Sequence, residues 1–255
     1  SLYDLVHAQG WTTAAINWSA TQYADTVTYN LPESMYSKVL PGRLLSPSLI
    51  PLLRDLRPTR RFTGKRRRGK RLGKRWRKRV GEIMKREDLS SDRLSTDIAL
   101  RLLRLPKAKV PRLMMLHYVA ADSVQHVRGM RSPKLFTTVR ALDRMLAEVL
   151  RGYRRAGIPE QRLAVLVMSD HGFSEVHRTM DLRLLLRKEG ISRYRSVHTK
   201  KRVEAEHVLS VFNGHAAFVY VKNGDEKVTA LIARLVRSKA YRRCIKAVYG
   251  PAQYA

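Results

Sequence analysis

The sequence predicts an α/β domain built on a largely parallel sheet, and three observations lead to this fold class. Apolar runs with the composition of buried strands alternate with longer stretches whose apolar residues have helical spacing. The chain has 255 residues, of which 44% are hydrophobic, so it can bury a core. Ionisable residues follow directly after predicted strands, where the carboxyl ends of parallel strands collect ligands.

The first half of the chain predicts a helix, a strand, an irregular region and a second helix. Residues 1–9 have helical spacing and are followed by Gly10, a residue type that often closes helices. The run WTTAAINW at 11–18 has the composition of a buried strand. Residues 19–51 contain several prolines and predict an irregular excursion. At 90–105, serine and aspartate caps precede apolar residues that recur on one helical face.

The middle of the chain predicts a strand, a long helix and a second strand. The short apolar run RLMMLHYV at 112–119 favours a strand, and we expect its His117 to be a satisfied core histidine. Residues 132–157 form the clearest helix, with a proline in the first turn and a glycine at the end. The apolar run LAVLVMS at 163–169 predicts a buried strand.

The last part of the chain predicts a helix, a strand pair and a final helix. The helices fall at 181–190 and 226–237, and the strands at 207–213 and 216–222. We predict a single partial domain over residues 1–255.

Basic residues dominate the charge of the chain. The net charge is +30, and residues 60–79 contain thirteen basic residues and no acidic ones. We expect 54–88 to be a basic, flexible insertion, because its glycines interrupt any long helix and its like charges repel. Two alternatives stay open. The run could bind nucleic acid or another polyanion, with Trp76 available for stacking, or it could be a peculiarity of the sequence such as a drifted reading frame.

Cysteine content and apolar run length exclude several classes of protein. Cys244 is the single cysteine, so a disulfide framework within the chain and a cysteine-based zinc site are both excluded. No apolar run reaches the roughly 18–20 residues of a membrane helix, so no transmembrane segment is predicted. The opening SLYDLVHAQG has the character of the middle of a protein, and we expect an upstream segment.

Five residues after or beside predicted strands form a candidate metal site: Asp122, His126, Asp170, His171 and His215. Carboxylate and imidazole donors suit a borderline ion such as Zn²⁺. Five ligands exceed the three that one catalytic zinc takes from protein, which favours two ions about 3.5–4 Å apart. Taken singly, each motif has a structural alternative: an aspartate that caps a turn, or a histidine that packs.

The stretches ADSVQH, SDHGF and NGHAAF resemble the type I phosphodiesterase/nucleotide pyrophosphatase branch of the alkaline phosphatase superfamily. That family has Asp-x-x-x-His after one strand, Asp-His-Gly after the next and a late histidine near a hairpin. The resemblance covers most of 1–55 and 90–235. It implies a three-layer sandwich with a mostly parallel central sheet, alkaline-phosphatase-like and truncated at the N-terminus.

The resemblance also divides the candidate ligands between two ions. Asp122, His126 and His215 would hold one zinc ion, and Asp170 and His171 would hold the other. Zn²⁺ is the expected metal, with Mn²⁺ or Mg²⁺ as alternatives.

The implied reaction is hydrolysis of phosphodiester or pyrophosphate bonds, with a phosphate ester or nucleotide as substrate. The nucleophilic threonine or serine of the family is expected upstream of residue 1, so we assign no catalytic residue and expect the chain to lack activity by itself. Ala121 and Gln125 replace the proline and glycine that the family commonly has, without removing a ligand.

Two other functions stay open at this point. One is a catalytically dead module that binds nucleic acid through the basic run. The other is a different activity of the same superfamily, such as that of a phosphomonoesterase, a sulfatase or a phosphoglycerate mutase.

Overall fold

The structure is a computed structural model, and its described residues form two compact units. It describes residues 1–33, 45–54, 56, 59–60, 67–68, 76–84, 86, 88–177, 179–189, 208–213, 216–239, 241–250 and 253. The units are Ser1–Glu175 and Val176–Ala255. A single partial domain over 1–255 stays a prediction.

Helices and strands are interspersed along the first unit. Its helices are α1 (Leu2–Ala8), α2 (Leu49–Arg54), α3 (Trp76–Met84), α4 (Leu89–Leu102), α5 (Ala120–Arg128) and α6 (Pro133–Arg155). Its strands are β1 (Thr13–Trp18), β2 (Tyr29–Pro32), β3 (Thr59–Arg60), β4 (Arg67–Arg68) and β5 (Leu113–Leu116). Short 3₁₀ turns lie at Lys107–Lys109 and Glu160–Arg162.

A three-stranded parallel sheet organises the first unit. Its strand order is β2-β1-β5, and Ala14 of the central strand pairs with Tyr29 on one side and Met114 on the other. The central strand is buried from Thr13 to Asn17 because both of its edges are paired and helices cover it. This confirms the predicted α/β class with a parallel sheet.

Helix α4 is buried over most of its length, although it carries many polar residues. Every residue from Ser91 to Ala99 is buried. Arg93 satisfies two acids at once: its Nη2 donates to Asp97 Oδ1 at 2.8 Å and its Nη1 to Glu148 Oε2 at 2.9 Å. Because Glu148 lies on α6, this buried network joins α4 to α6.

The core of the first unit is built around α4. It includes the apolar face predicted for this helix, Ile98 and Leu102, which are at most 2% exposed. Gly152 lets α6 approach α4 closely, because a Cβ at this position would lie 2.8 Å from Leu103 Cδ1. Within the basic segment, α3 contributes Val80 to the same core. A flexible insertion over the whole of 54–88 stays a prediction.

The structure differs from the prediction of a buried strand at 163–169. The segment forms no strand, and Val165, Leu166, Val167 and Met168 are 51–81% exposed. A strand needs a neighbour for its backbone N–H and C=O groups, and no described strand flanks this run. Apolar composition alone predicted a strand here, but a strand also requires a neighbouring strand to pair with.

The region 19–51 contains more regular structure than its prolines indicate. Strand β2 ends at Pro32 and lies at an edge of the sheet, where a proline costs no ladder hydrogen bond. Helix α2 contains Pro51 in its first turn, where a backbone N–H has no helical partner.

The second unit contains a hairpin and two helices that share a small core. Its elements are α7 (Leu182–Lys188), β6 (Val208–Asn213), β7 (Ala216–Val221) and α8 (Glu226–Arg237), with a 3₁₀ turn at Lys222–Gly224. The two strands pair in antiparallel fashion. The ends of all four elements agree with the predicted ends to within one or two residues, so these predictions are confirmed. Among the described helices of the chain, none has the length and apolarity needed to cross a membrane.

Candidate metal centre

Helix α5 places two of the predicted ligands on one face. Asp122 and His126 are four residues apart, so they lie one turn from each other. The distance from Asp122 Oδ1 to His126 Nε2 is 3.5 Å. The prediction that Asp122 and His126 face the same way required this stretch to be helical, and residues 120–128 are helical.

A second pair of predicted ligands, Asp170 and His171, lies next to the first. His171 Nε2 is 3.7 Å from Asp122 Oδ1 and 3.6 Å from Asp170 Oδ2. The backbone N–H of His171 donates to Asp170 Oδ1 at 3.1 Å, which fixes this acid against the backbone of its neighbour. The structure therefore brings four of the five predicted residues together, although the strand expected before Asp170 is absent.

The ring of Phe173 packs against both histidines. Its centroid is 4.9 Å from that of His126 and 5.4 Å from that of His171, with edge-on geometry in both cases. Sequence reasoning did not single out this residue. The only local signal is its position two residues after His171, on the same turn.

The hydrogen bond of His171 orients its ring. Nδ1 lies 3.1 Å from the carbonyl oxygen of Gly172, and a carbonyl can only accept, so Nδ1 is the donor. Nε2 is then the ring nitrogen that faces the Asp122 carboxylate. Metal-binding histidines commonly make such a bond from the nitrogen that does not bind the ion.

The Asp122 carboxylate leaves one oxygen without a hydrogen bond. Its Oδ1 is buried and accepts no hydrogen bond in the described part of the chain, yet two imidazole nitrogens face it. A buried acceptor without a donor is costly, and a cation would satisfy it.

The donor types and spacing fit a divalent ion. Ligands of a tetrahedral zinc ion lie roughly 3.3–3.6 Å from one another, given metal–ligand distances near 2.0–2.2 Å. The described part of the chain contains no group of three or more such side chains that forms a complete metal-holding arrangement. Small movements are needed, and His126 and His171, which are 64% and 53% exposed, have room for them.

The fifth predicted ligand, His215, lies outside the described residues. Assignment of Asp122, His126 and His215 to one ion, and of Asp170 and His171 to a second, therefore stays a prediction. His117, expected to be a satisfied core histidine, is half-buried, and its Nδ1 lies 2.9 Å from the carbonyl oxygen of Asn17.

A buried acid on α4 touches the start of α5. Asp92 is fully buried, and its two carboxylate oxygens accept from the backbone N–H groups of Val119 and Ala120 at 2.8 and 3.1 Å. Burial raises the pKa of Asp92 to about 6, and the two amide hydrogen bonds oppose this rise. Sequence reasoning missed this role, because position 92 offered only the pattern of a helix cap.

Comparison with known proteins identifies one family. Searches of curated proteins and of solved structures gave no significant match. A family model described as type I phosphodiesterase / nucleotide pyrophosphatase matches residues 1–249. This family consists of hydrolases, is generally metal-dependent and lies in the alkaline phosphatase superfamily, whose α/β fold agrees with the parallel sheet. The chain therefore belongs to the type I phosphodiesterase/nucleotide pyrophosphatase family.

Proposed function

We propose that this chain carries the metal-binding part of a phosphodiester or pyrophosphate hydrolase site. One observation supports this most directly: the buried Oδ1 of Asp122 accepts no hydrogen bond from the described residues and faces the Nε2 atoms of His126 and His171. A carboxylate oxygen and two imidazole nitrogens that converge in this way are a donor set that a divalent cation can bind. Zinc is the ion that this donor set favours.

The four described ligands would bind the metal from two neighbouring segments. Asp122 and His126 act from a rigid helix, and Asp170 and His171 from the adjacent turn. When bound, the metal supplies charge that stabilises the phosphoryl oxygens and the leaving oxygen. The hydrogen bond from His171 Nδ1 to Gly172 orients Nε2 toward Asp122, and Phe173 packs edge-on against both rings. We assign the nucleophile to no residue of this chain.

Binding of a reaction product tests this function without requiring turnover. Calorimetry would measure the binding of a nucleoside monophosphate to zinc-loaded protein, to chelated protein and to Asp122→Asn. We expect binding in the zinc-loaded protein, with at least tenfold loss in the other two samples. Equal binding in all three samples would contradict the proposal.

The class of ester is tested separately. The nitrophenyl ester of a nucleoside monophosphate is a diester, and nitrophenyl phosphate is a monoester. Displacement of the bound nucleoside monophosphate by each ester compares their affinities without requiring turnover. Tighter zinc-dependent binding of the diester would support the phosphodiesterase, and tighter binding of the monoester would favour a phosphomonoesterase of the same superfamily.

A second function rests on the basic segment 54–88. Residues 60–79 contain thirteen basic residues and no acidic ones, and two of them, Arg60 and Arg67, are paired through the backbones of β3 and β4. This density of positive charge favours a polyanion such as RNA as a partner. Salt-dependent binding of a single-stranded RNA, unchanged in Asp122→Asn and weakened by substitution of Arg60 and Arg67 with glutamine, would support this function. Binding that ignores the arginine substitutions would contradict it.

A further inference from the structure

The first turn of α5 is capped by a residue from another helix. Val119 occupies the N-cap position of α5 but makes no side-chain hydrogen bond to the helix. Asp92 on α4 caps the helix instead: its two carboxylate oxygens accept hydrogen bonds from the backbone N–H groups of Val119 and Ala120. Backbone N–H groups at a helix start otherwise lack partners, so this contact determines where α5 begins.

Asp92 is buried, and a second contact joins its helix to the segment before α5. Its side chain is 0% exposed, and its carbonyl oxygen accepts from Thr96 Oγ1 at 2.8 Å. Thr96 Oγ1 also lies 2.9 Å from the hydroxyl of Tyr118, the residue before Val119. Two separate contacts therefore join this part of α4 to the segment that leads into α5.

The helix that carries Asp92 is anchored in turn. Arg93, the next residue, bonds to Asp97 on the same helix and to Glu148 on α6. Arg93 therefore joins α4 to α6, and its sequence neighbour Asp92 joins α4 to the start of α5. Two residues after Ala120 comes Asp122, whose Oδ1 faces both histidines of the site.

We propose that Asp92 is a positioning residue of the metal centre, which fixes the first turn of α5 and thereby the placement of Asp122 and His126. The proposal rests on the proposed function, since it assigns Asp92 a role toward the same ion. Metal ligands must be held within about 0.5 Å of their working geometry, and residues that orient ligands commonly change metal affinity by 10–100-fold.

The test compares two buried acids on α4. Asp92→Asn keeps the size of the side chain but places an amide group where a carboxylate oxygen accepted from α5. Asp97→Asn is the matched control, because it weakens the buried pair with Arg93 and leaves the hydrogen bonds from Val119 and Ala120 to Asp92 in place. Asp92→Glu, which keeps the charge and moves the carboxylate by one methylene, serves if Asp92→Asn does not fold.

Two measurements separate positioning from general stability. Co²⁺ serves as the probe, and its visible absorption reports ligand geometry and affinity. We expect Asp92→Asn to weaken Co²⁺ binding at least tenfold and to alter the spectrum, with Asp97→Asn within twofold of wild type. Hydrogen exchange of the amides at 119–126 should accelerate at least tenfold in Asp92→Asn alone.

The outcomes that overturn the proposal are distinct from those that overturn the function. Unchanged exchange at 119–126 in Asp92→Asn, or equal loss of Co²⁺ affinity in both variants, contradicts a positioning role. Failure of the wild-type protein to bind Co²⁺ contradicts the proposed function instead. The exchange comparison then still decides whether Asp92 holds the start of α5.

Discussion

At the residue scale, the proposed metal site depends on where the polar atoms of a few side chains point. His171 turns Nδ1 to a carbonyl and Nε2 to Asp122, and none of the described residues donates a hydrogen bond to Oδ1 of Asp122. The helical spacing of Asp122 and His126 was predictable from sequence, because residues four apart share a helix face. The contacts of Phe173 and Asp92 were not, since they join segments that only tertiary structure brings together.

Substitution of Asp122 should affect metal binding far more than folding. Asp122→Asn removes the negative charge at the point where two imidazoles converge, so we expect zinc affinity to fall at least tenfold. The unfolding free energy of chelated protein should change by less than about 1 kcal/mol, because Oδ1 accepts no hydrogen bond from the described residues. Calorimetry and denaturant titration measure the two effects. Asp143→Asn, an exposed acid on α6, is the control and should change neither.

The raised pKa of Asp92 predicts a pH-dependent contribution to stability. Burial raises this pKa from 3.8 to about 6, nearby Asp88 raises it further and His117 lowers it. The folded protein therefore binds the proton more tightly than the unfolded chain. The associated stability is fully present below about pH 4 and is lost as the pH rises through about 6.

A comparison with Asp92→Asn isolates this contribution. Between pH 4 and pH 7, wild type should lose on the order of 3 kcal/mol of unfolding free energy relative to the variant. Denaturant titrations of both proteins at several pH values measure the difference. A difference that stays constant, or grows in favour of wild type with rising pH, would contradict the assignment.

At the scale of helices and strands, local pattern predicted most elements and failed where the state depends on a neighbour. The helix at 133–155 has a proline start and an apolar stripe, and both signals are local. Residues 163–169 have the composition of a strand, but they lie exposed without a described pairing partner. Strand β2 was missed because Pro32 is disfavoured in a central strand and acceptable at an edge.

The contact between α4 and α6 predicts different effects for two substitutions of Gly152. A Cβ there would lie 2.8 Å from Leu103 Cδ1 and 3.0 Å from Leu100 Cδ2, both at the ends of flexible side chains. We expect Gly152→Ala to be nearly neutral, because higher helix propensity offsets the shift of these leucines. Gly152→Val should lower the unfolding free energy by about 1–3 kcal/mol through overpacking. Thermal unfolding of both variants checks this, and equal stability of the two would refute close packing here.

At the scale of the whole molecule, the proposed metal ligands that the structure describes all lie in the unit Ser1–Glu175. The same unit contains all three tryptophans of the sequence, Trp11, Trp18 and Trp76. Intrinsic tryptophan fluorescence therefore reports on the unit that would bind the metal.

Metal binding should stabilise this unit in a concentration-dependent way. At a zinc concentration about 100 times the Kd, the expected stabilisation is about 2.7 kcal/mol. The midpoint of thermal unfolding followed by tryptophan fluorescence should then rise by about 5–10 °C. His126→Ala should abolish this rise. An equal rise in His126→Ala would show that zinc acts at another place.

The central claim is that Asp122, His126, Asp170 and His171 hold a divalent metal ion. Elemental mass spectrometry of the purified protein, with His126→Ala measured beside it, tests this claim most directly. We predict close to one or two zinc ions per chain in the wild-type protein and a reduced content in the variant. A folded wild-type protein without bound metal, or an unchanged metal content in His126→Ala, would contradict the claim.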